Sequence, residues 1–323
     1  MKIAQFRGYY FEEIVNYLLK KTEYIDIKKG NVPGRGANHQ IDSYGIFSFT
    51  IPFVYPVRLL AEAKWYSKNI GLSKLRDFVG VLKDISENYF VPIDLEGNRN
   101  ISDSLKDRYT DCGAFFSVTD FTISAQNYAY AHGIYLITFK MNSILSPVID
   151  RAEKLIKEIF NNSHNVNLDR NQVSELFEGH IESDQIFCEV LSQVNIYLGI
   201  LDGVYPIIIT SKKPFNFSNE LDDDISSDLF EIPDTTNKEY IQENSKTVLF
   251  CFTYEKNVFE FTLPTSISKN LIRAIENTYS NQPFSKIEIP IKLLENDRSF
   301  RRVFSLKLPL LDSKQAVEKI ERT

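Results

Sequence analysis

The stretch Val57–Trp65, VRLLAEAKW, is an apolar run broken by two charges of opposite sign. Leu59, Leu60, Ala61 and Ala63 put small and branched apolar side chains at successive positions, the pattern of a strand covered on both faces. Glu62 and Lys64 interrupt it. Residues i and i+2 of a strand share a face, so this carboxylate and this ammonium lie on one surface near the strand's end. Removing two ions from water costs several kcal/mol each, so the pair must be compensated by each other or by something they bind. Taken alone, a Glu-x-Lys pair is most simply a salt bridge at a strand end.

The neighbouring segments give the pair a context. Upstream, Gln40–Ser48 reads as a second strand carrying Asp42. It is preceded by Lys29–Asn38 (KGNVPGRGAN), a loop rich in glycine. Antiparallel pairing of the two strands would bring Asp42 to Glu62. Two carboxylates and a backbone carbonyl are the hard oxygen donors that Mg²⁺ prefers, although Asp42 alone is more simply a turn or cap residue. Tyr24–Ile27 alternates like a short strand, and Ile51–Pro56 looks like a hairpin or insertion. Phe6–Lys21 (FRGYYFEEIVNYLLKK) sets Tyr10, Ile14, Tyr17 and Leu18 on one helical face, with Glu12 mid-helix beside apolar residues. Glu12 is either a solvated face residue or a third carboxylate at the same end of the sheet.

Downstream, Ser73–Tyr89 is an amphipathic helix with Ser73 as its cap, and residues 91–110 are polar and loop-like. Gly113–Val118 is a buried strand. Ser124–His132 is a short helix closed by Gly133. Ile134–Phe139 is another strand, and Ile144–Phe160 a helix. The order α-β-β-β-α-β-α-β-α predicts an α/β domain over residues 1–162, a mixed sheet with helices on its faces. Asn161–Asp184 is polar and patternless and is read as the boundary. Residues 163–323 are expected to form a strand-rich α+β domain. Its runs are Ile186–Leu201, Tyr205–Thr210, Thr247–Tyr254, Val258–Leu263, Ile287–Leu294 and Phe300–Leu308, with a helix at Ser266–Tyr279 and a mobile acidic loop at Phe217–Lys246.

Composition removes several function classes. The three cysteines and four histidines are scattered, which excludes a disulfide framework, a cysteine-rich zinc site and HExxH. Gly34–Gly36 lacks the GK[ST] of a P-loop, so no ATP site is expected. No segment is apolar for the roughly 18 residues of a membrane span, and Met1–Ala4 opens into an amphipathic segment without a signal-peptide core. A cytoplasmic protein is expected. Residues 1–160 carry 20 Lys and Arg against 18 Asp and Glu, whereas residues 161–323 carry 17 against 25. A polyanion would meet less repulsion at the first half, but it would need local basic groups. Arg35, Lys68 and Lys74 are candidate phosphate contacts. Arg298, Arg301, Arg302 and Lys307 form a second basic cluster, more simply a charge-guarded strand edge.

The order Glu12, Asp42, Glu62-Ala63-Lys64 resembles the PD-(D/E)xK nuclease superfamily, and within it the Mrr-like restriction endonuclease catalytic domain. RGYYFEEIVNYLL is similar to that family's first helix, GRGANHQID to its aspartate strand, LLAEAKWY to its ExK strand, IGLSKLRDFVGVL to the following helix, and GAFFSVTDFTISAQNYAYAHGIYLI to its strand-helix-strand ending. The resemblance covers residues 5–140. Ile41 stands where a proline would precede the aspartate, and the stretch from Asp42 to Glu62 is long.

The resemblance implies hydrolysis of DNA phosphodiesters in restriction or phage defence. Asp42 and Glu62 would hold Mg²⁺ or Mn²⁺ with the Ala63 carbonyl as third ligand. Lys64 would orient or activate the attacking water, acting as a base if its pKa were depressed. Glu12 would hold a second metal or a metal-bound water, and Gln40 would contact phosphate or water. The second half would serve target recognition, dimerisation or sensing of an activating ligand or protein. Two active sites are needed for double-strand cleavage, so a homo-oligomer is expected. The competing reading is a catalytically silent or ligand-activated subunit that keeps the fold and binds nucleic acid or a protein partner.

Overall fold

The computed structural model describes residues 1–48, 53–87, 108–140, 142–161, 165–214, 224–226, 229–231, 247–254, 256–264, 267, 284–295 and 298–309. It begins with α1 (Ile3–Leu19), β1 (Tyr24–Pro33), β2 (Asn38–Phe47), β3 (Val57–Lys64) and α2 (Leu72–Ser86). There follow β4 (Thr110–Ser117), α3 (Ile123–Ala131), β5 (Tyr135–Thr138) and α4 (Ser146–Phe160). The strands form one five-stranded mixed sheet in the order β1-β2-β3-β4-β5. β1, β2 and β3 pair antiparallel, while β3-β4 and β4-β5 are parallel. Parallel neighbours need crossovers, and α2 and α3 supply them.

β3 lies at the centre of this sheet and alternates as its sequence requires. Leu59, Ala61 and Ala63 join the core beneath α1 and α4, with Phe116 of β4 and Ile137 of β5. Leu60 turns to the opposite face with Ile41 and Ile85, while Phe115 meets Phe78 and Val79 of α2. Each such fully buried Phe or Leu is worth roughly 1.5–3 kcal/mol of transfer free energy. The mixed sheet with helices on both faces is the architecture expected from the element order.

Several local expectations need correcting. β1 is ten residues long and runs to Pro33, into the stretch read as loop. Its ladder to β2 shifts register on both sides of Lys28, so its side chains do not alternate cleanly and the strand signal fades. The remaining loop is clasped to α2: the Asp84 carboxylate accepts from the Gly36 N–H at 3.0 Å and from His39 Nε2 at 2.7 Å. A Cβ at Gly34 would lie 2.2 Å from Asp84 Oδ2, which explains the glycine there. Ser73 does not cap α2; Gly71 holds that position, without a side chain to offer.

The segment read as a patternless boundary holds a helix, α5 (Arg170–Ser183), with a capping box between Asp169 and Gln172. The first part of the run expected as strand from Ile186 is also helical, α6 (Gln185–Ser192), capped by Asp184. Val173, Phe177, Phe187 and Leu191 from these helices enter the core beneath α1.

The chain continues into β6 (Asn195–Leu201), β7 (Tyr205–Ser211), β8 (Asp224–Ser226), β9 (Leu229–Glu231) and β10 (Thr247–Tyr254). It then adds β11 (Asn257–Pro264), β12 (Phe284–Glu295) and β13 (Arg298–Pro309). They form an eight-stranded sheet, β8-β13-β12-β6-β7-β11-β10-β9, antiparallel throughout except at β8-β13. The second region is therefore strand-rich, as expected. The expected helix at Ser266–Tyr279 and the mobile character of Phe217–Lys246 fall, apart from residue 267 and the short β8 and β9, outside the described residues. Among the described residues no helix is long and apolar enough to cross a membrane.

Candidate active site at the fork of two strands

β2 and β3 pair from Ile46–Arg58 to Ser43–Ala61, and the ladder stops there. One step further stand Asp42 and Glu62. Beyond the fork, the backbone donor of Ala63 has no β2 carbonyl to meet, and the Asp42 side chain replaces it. Asp42 Oδ2 accepts the Ala63 N–H at 2.9 Å and the Lys64 ammonium at 3.2 Å. Lys64 also pairs with Glu62 Oε1. The expected convergence of Asp42 with the Glu62-Ala63-Lys64 strand is therefore present. Asp42 is 6% exposed, so its bonds are made in a largely desolvated setting, where pairing matters most.

Glu12 comes from the middle of α1 and is 9% exposed, which rules out the solvated-face reading. Burial and the nearby Asp42 charge push its carboxyl up to about 7, against the pull of Arg170 and Lys64. Burial and Asp42 likewise raise the Glu62 carboxyl, with Lys64 and Lys74 opposing. For Lys64, burial pulls the ammonium down, but Asp42 and Glu62 outweigh it and hold the group above the ordinary lysine value. Between two carboxylates, and with no metal bound, the ammonium keeps its proton.

Arg170, at the start of α5, was not among the sequence candidates. Its Nη2 donates to Glu12 Oε2 at 2.6 Å, and its guanidinium lies 5.1 Å from the centroid of the Tyr9 ring. Gln40 faces the same guanidinium, and with its amide oxygen turned toward the donors it accepts from Nη2 at 3.2 Å. Gln40 thus meets Arg170. The capping-box spacing of Asp169 and Gln172 and the i, i+4 pair Val173 and Phe177 would have revealed the helix. Nothing in the sequence links Arg170 to Glu12 across 158 positions.

Among the described residues no group of three or more His, Cys, Asp or Glu side chains is arranged to hold a metal ion. The donors nonetheless suit a hard divalent cation in kind: Asp42, Glu62 and the adjacent Ala63 carbonyl are all oxygen ligands. Burial first, and then the Asp42 charge, raise the Glu12 and Glu62 carboxyls, and a cation at the fork would compete with Lys64 for Asp42 and Glu62.

Trp65, Arg35 and His132 have structural partners. Trp65 packs edge-on to Phe11 of α1, with ring centroids 6.0 Å apart. Arg35 pairs with Glu87 at 3.7 Å, and the His132 ring meets Tyr128 at a tilt of 50°. Lys68 and Lys74 line a cleft just past the end of β3.

No family model and no curated protein matches the chain. A crystal structure of the protein of unknown function AF1548 aligns at 16% identity, covering 53% of this chain and 95% of that one, with a TM-score of 0.29.

Proposed function

We propose that the chain is a metal-dependent endonuclease of the PD-(D/E)xK kind, hydrolysing DNA phosphodiester bonds as a cytoplasmic restriction or phage-defence enzyme. The observation that carries the reading is the meeting of Asp42, Glu62 and Lys64 at the β2–β3 fork, with Glu12 behind them. Asp42, Glu62 and the Ala63 carbonyl would hold Mg²⁺ or Mn²⁺. When bound, such an ion neutralises phosphate charge and lowers the pKa of a water. Lys64, held protonated by Asp42 and Glu62 when no metal is bound, would orient or activate the attacking water and stabilise charge on the phosphate. Arg170 holds Glu12 in place from the second region. Gln40 is tied to that arginine and acts with it, at the edge of the site.

The test is a nicking assay on supercoiled plasmid, with methylated and unmethylated phage DNA and single strands alongside, in Mg²⁺, Mn²⁺ or EDTA. Metal-dependent cutting by wild type that is lost in Lys64→Ala is the expected result. No cutting by a folded wild type on any substrate sinks the basal-nuclease reading.

A second reading is favoured by one specific observation. The Lys64 ammonium already bridges Asp42 and Glu62, and Arg170 already neutralises Glu12. A site with its own counter-ions in place suits a silent or ligand-activated subunit whose second region answers to a small molecule or a protein partner, or assembles the chain into a homo-oligomer. That reading is supported if cutting appears only when such an activator is supplied.

A further inference from the structure

β3 ends at Lys64, and the chain then turns through Trp65–Gly71 into α2. This turn and the first turns of α1 enclose a cleft of about 470 Å³. The volume is within the range of small-molecule sites, roughly 300–1,000 Å³. Its walls combine two aromatic rings, Trp65 and Tyr66, with three cations, Arg7, Lys68 and Lys74. Arg7 is already committed to Glu153 through a two-point pair. Lys68 has no carboxylate partner within ion-pair distance among the described residues. Lys74 makes only a loose 3.8 Å contact with the exposed Asp77. Tyr66 is 41% exposed although it is flanked by ordered structure. The cleft adjoins the candidate site along the chain, because its lining residues Trp65 and Tyr66 directly follow Lys64.

An open aromatic face beside one ammonium with no ion pair among the described residues, Lys68, and one held only loosely, Lys74, is the chemistry that binds a nucleotide by base stacking and phosphate contact. A duplex offers its phosphates but no base face, since its bases are stacked on each other. The geometry points to a subsite for one unstacked nucleotide of a single strand, its base on Tyr66 against the Trp65 wall and its phosphates on Lys68 and Lys74. This rests on the nuclease reading for its purpose, which is to hold the strand beside Glu62 and Lys64. Substrates with single-stranded or splayed segments are then preferred to intact duplex.

Trp65 is the sole tryptophan of the chain, so its emission reports on the cleft directly. The experiment titrates full-length protein in EDTA, where metal-dependent cutting is blocked, with short oligothymidylate, oligouridylate and a blunt-ended duplex of two annealed strands. Quenching by either single strand, at concentrations about tenfold below those the duplex requires, is expected. The two single strands separate a DNA preference from an RNA preference. Tyr66→Ala should weaken single-strand affinity by about tenfold and Tyr66→Phe should restore it. Lys68→Ala should flatten the slope of log affinity against log salt by about 0.7. Equal binding of duplex, or unchanged affinity in both Tyr66→Ala and Lys68→Ala, overturns the inference. Single-strand binding that persists in a protein unable to cut DNA with Mg²⁺ upholds the cleft and counts against the nuclease. Cutting without single-strand binding does the reverse.

Discussion

Both sheets bury carboxylates on their strands, and the two cases differ in what answers the charge. On β11, Glu260 is 5% exposed. It accepts from the Ser143 N–H at 2.9 Å and from the Ser143 hydroxyl, while the neighbouring Asn142 and Thr210 bond each other at 2.6 Å. Neutral donors satisfy that carboxylate, and its role is to fasten the start of α4 to the second sheet. At the fork of the first sheet, Glu12, Asp42 and Glu62 share two cations, Lys64 and Arg170. Two of those carboxyls are raised by burial and by Asp42. A buried acid is therefore a candidate for chemistry when like charges crowd it, and a structural fastener when donors surround it.

The sharpest way to break this contrast is to mutate both regions in one assay. Asp42→Asn and Lys64→Ala are expected to reduce metal-dependent cleavage by ~10²–10⁴-fold, while Glu260→Gln leaves it within a few-fold. An equal loss in all three means the regions do not differ in the way described. In urea melts the ranking inverts. Glu260→Ala strands the Ser143 donors and is expected to cost ~1–3 kcal/mol, whereas Glu12→Gln removes a crowded charge and should not destabilise the metal-free protein at pH 8.

The pH dependence sharpens the same point. The folded Glu12 carboxyl sits at about 7 against an ordinary 4.5. A raised carboxyl binds its proton more tightly in the folded state, so its contribution is complete below pH 4.5 and is lost as pH rises through 7. Thermal melts in EDTA should show stability falling across that window by ~1–3 kcal/mol, with Glu62 adding in the same direction. Glu12→Gln should flatten the fall, and a wild type whose stability is level from pH 4.5 to 7 contradicts the crowding. The smallest effect is expected from Arg170→Gln. Its side chain is 35% exposed, so the direct cost is under ~1 kcal/mol. Losing the guanidinium should nevertheless move the Glu12 window to higher pH.

The sequence was most legible where residues alternate or repeat cleanly. β3 announces itself by Leu59 to Ala63, and its register with β2 follows from two strands joined antiparallel. The helix α3 ends where Gly133, with φ of +66°, takes a backbone conformation that side chains disfavour. The strand signal of β1 was blurred by its register shifts. The helix α5 was hidden by its polarity: only Val173 and Phe177 are buried on it, too narrow a stripe to stand out. Within the site, spacing along strands was enough to unite Asp42, Glu62 and Lys64. It placed Gln40 beside Asp42 but could not tell that Gln40 answers to Arg170, because that contact depends on how α5 packs against α1.

The Asp42–Ala63 hydrogen bond has a consequence in conformational entropy. A free aspartate samples several rotamers, and confining a side chain to one costs up to about 2 kcal/mol, depending on its length. Here the main chain of β3 holds one carboxylate oxygen at 2.9 Å, and the sheet that fixes β3 has already met that cost during folding. Whatever binds at the fork therefore meets a carboxylate that is already ordered, and its affinity is not reduced by having to arrange this ligand.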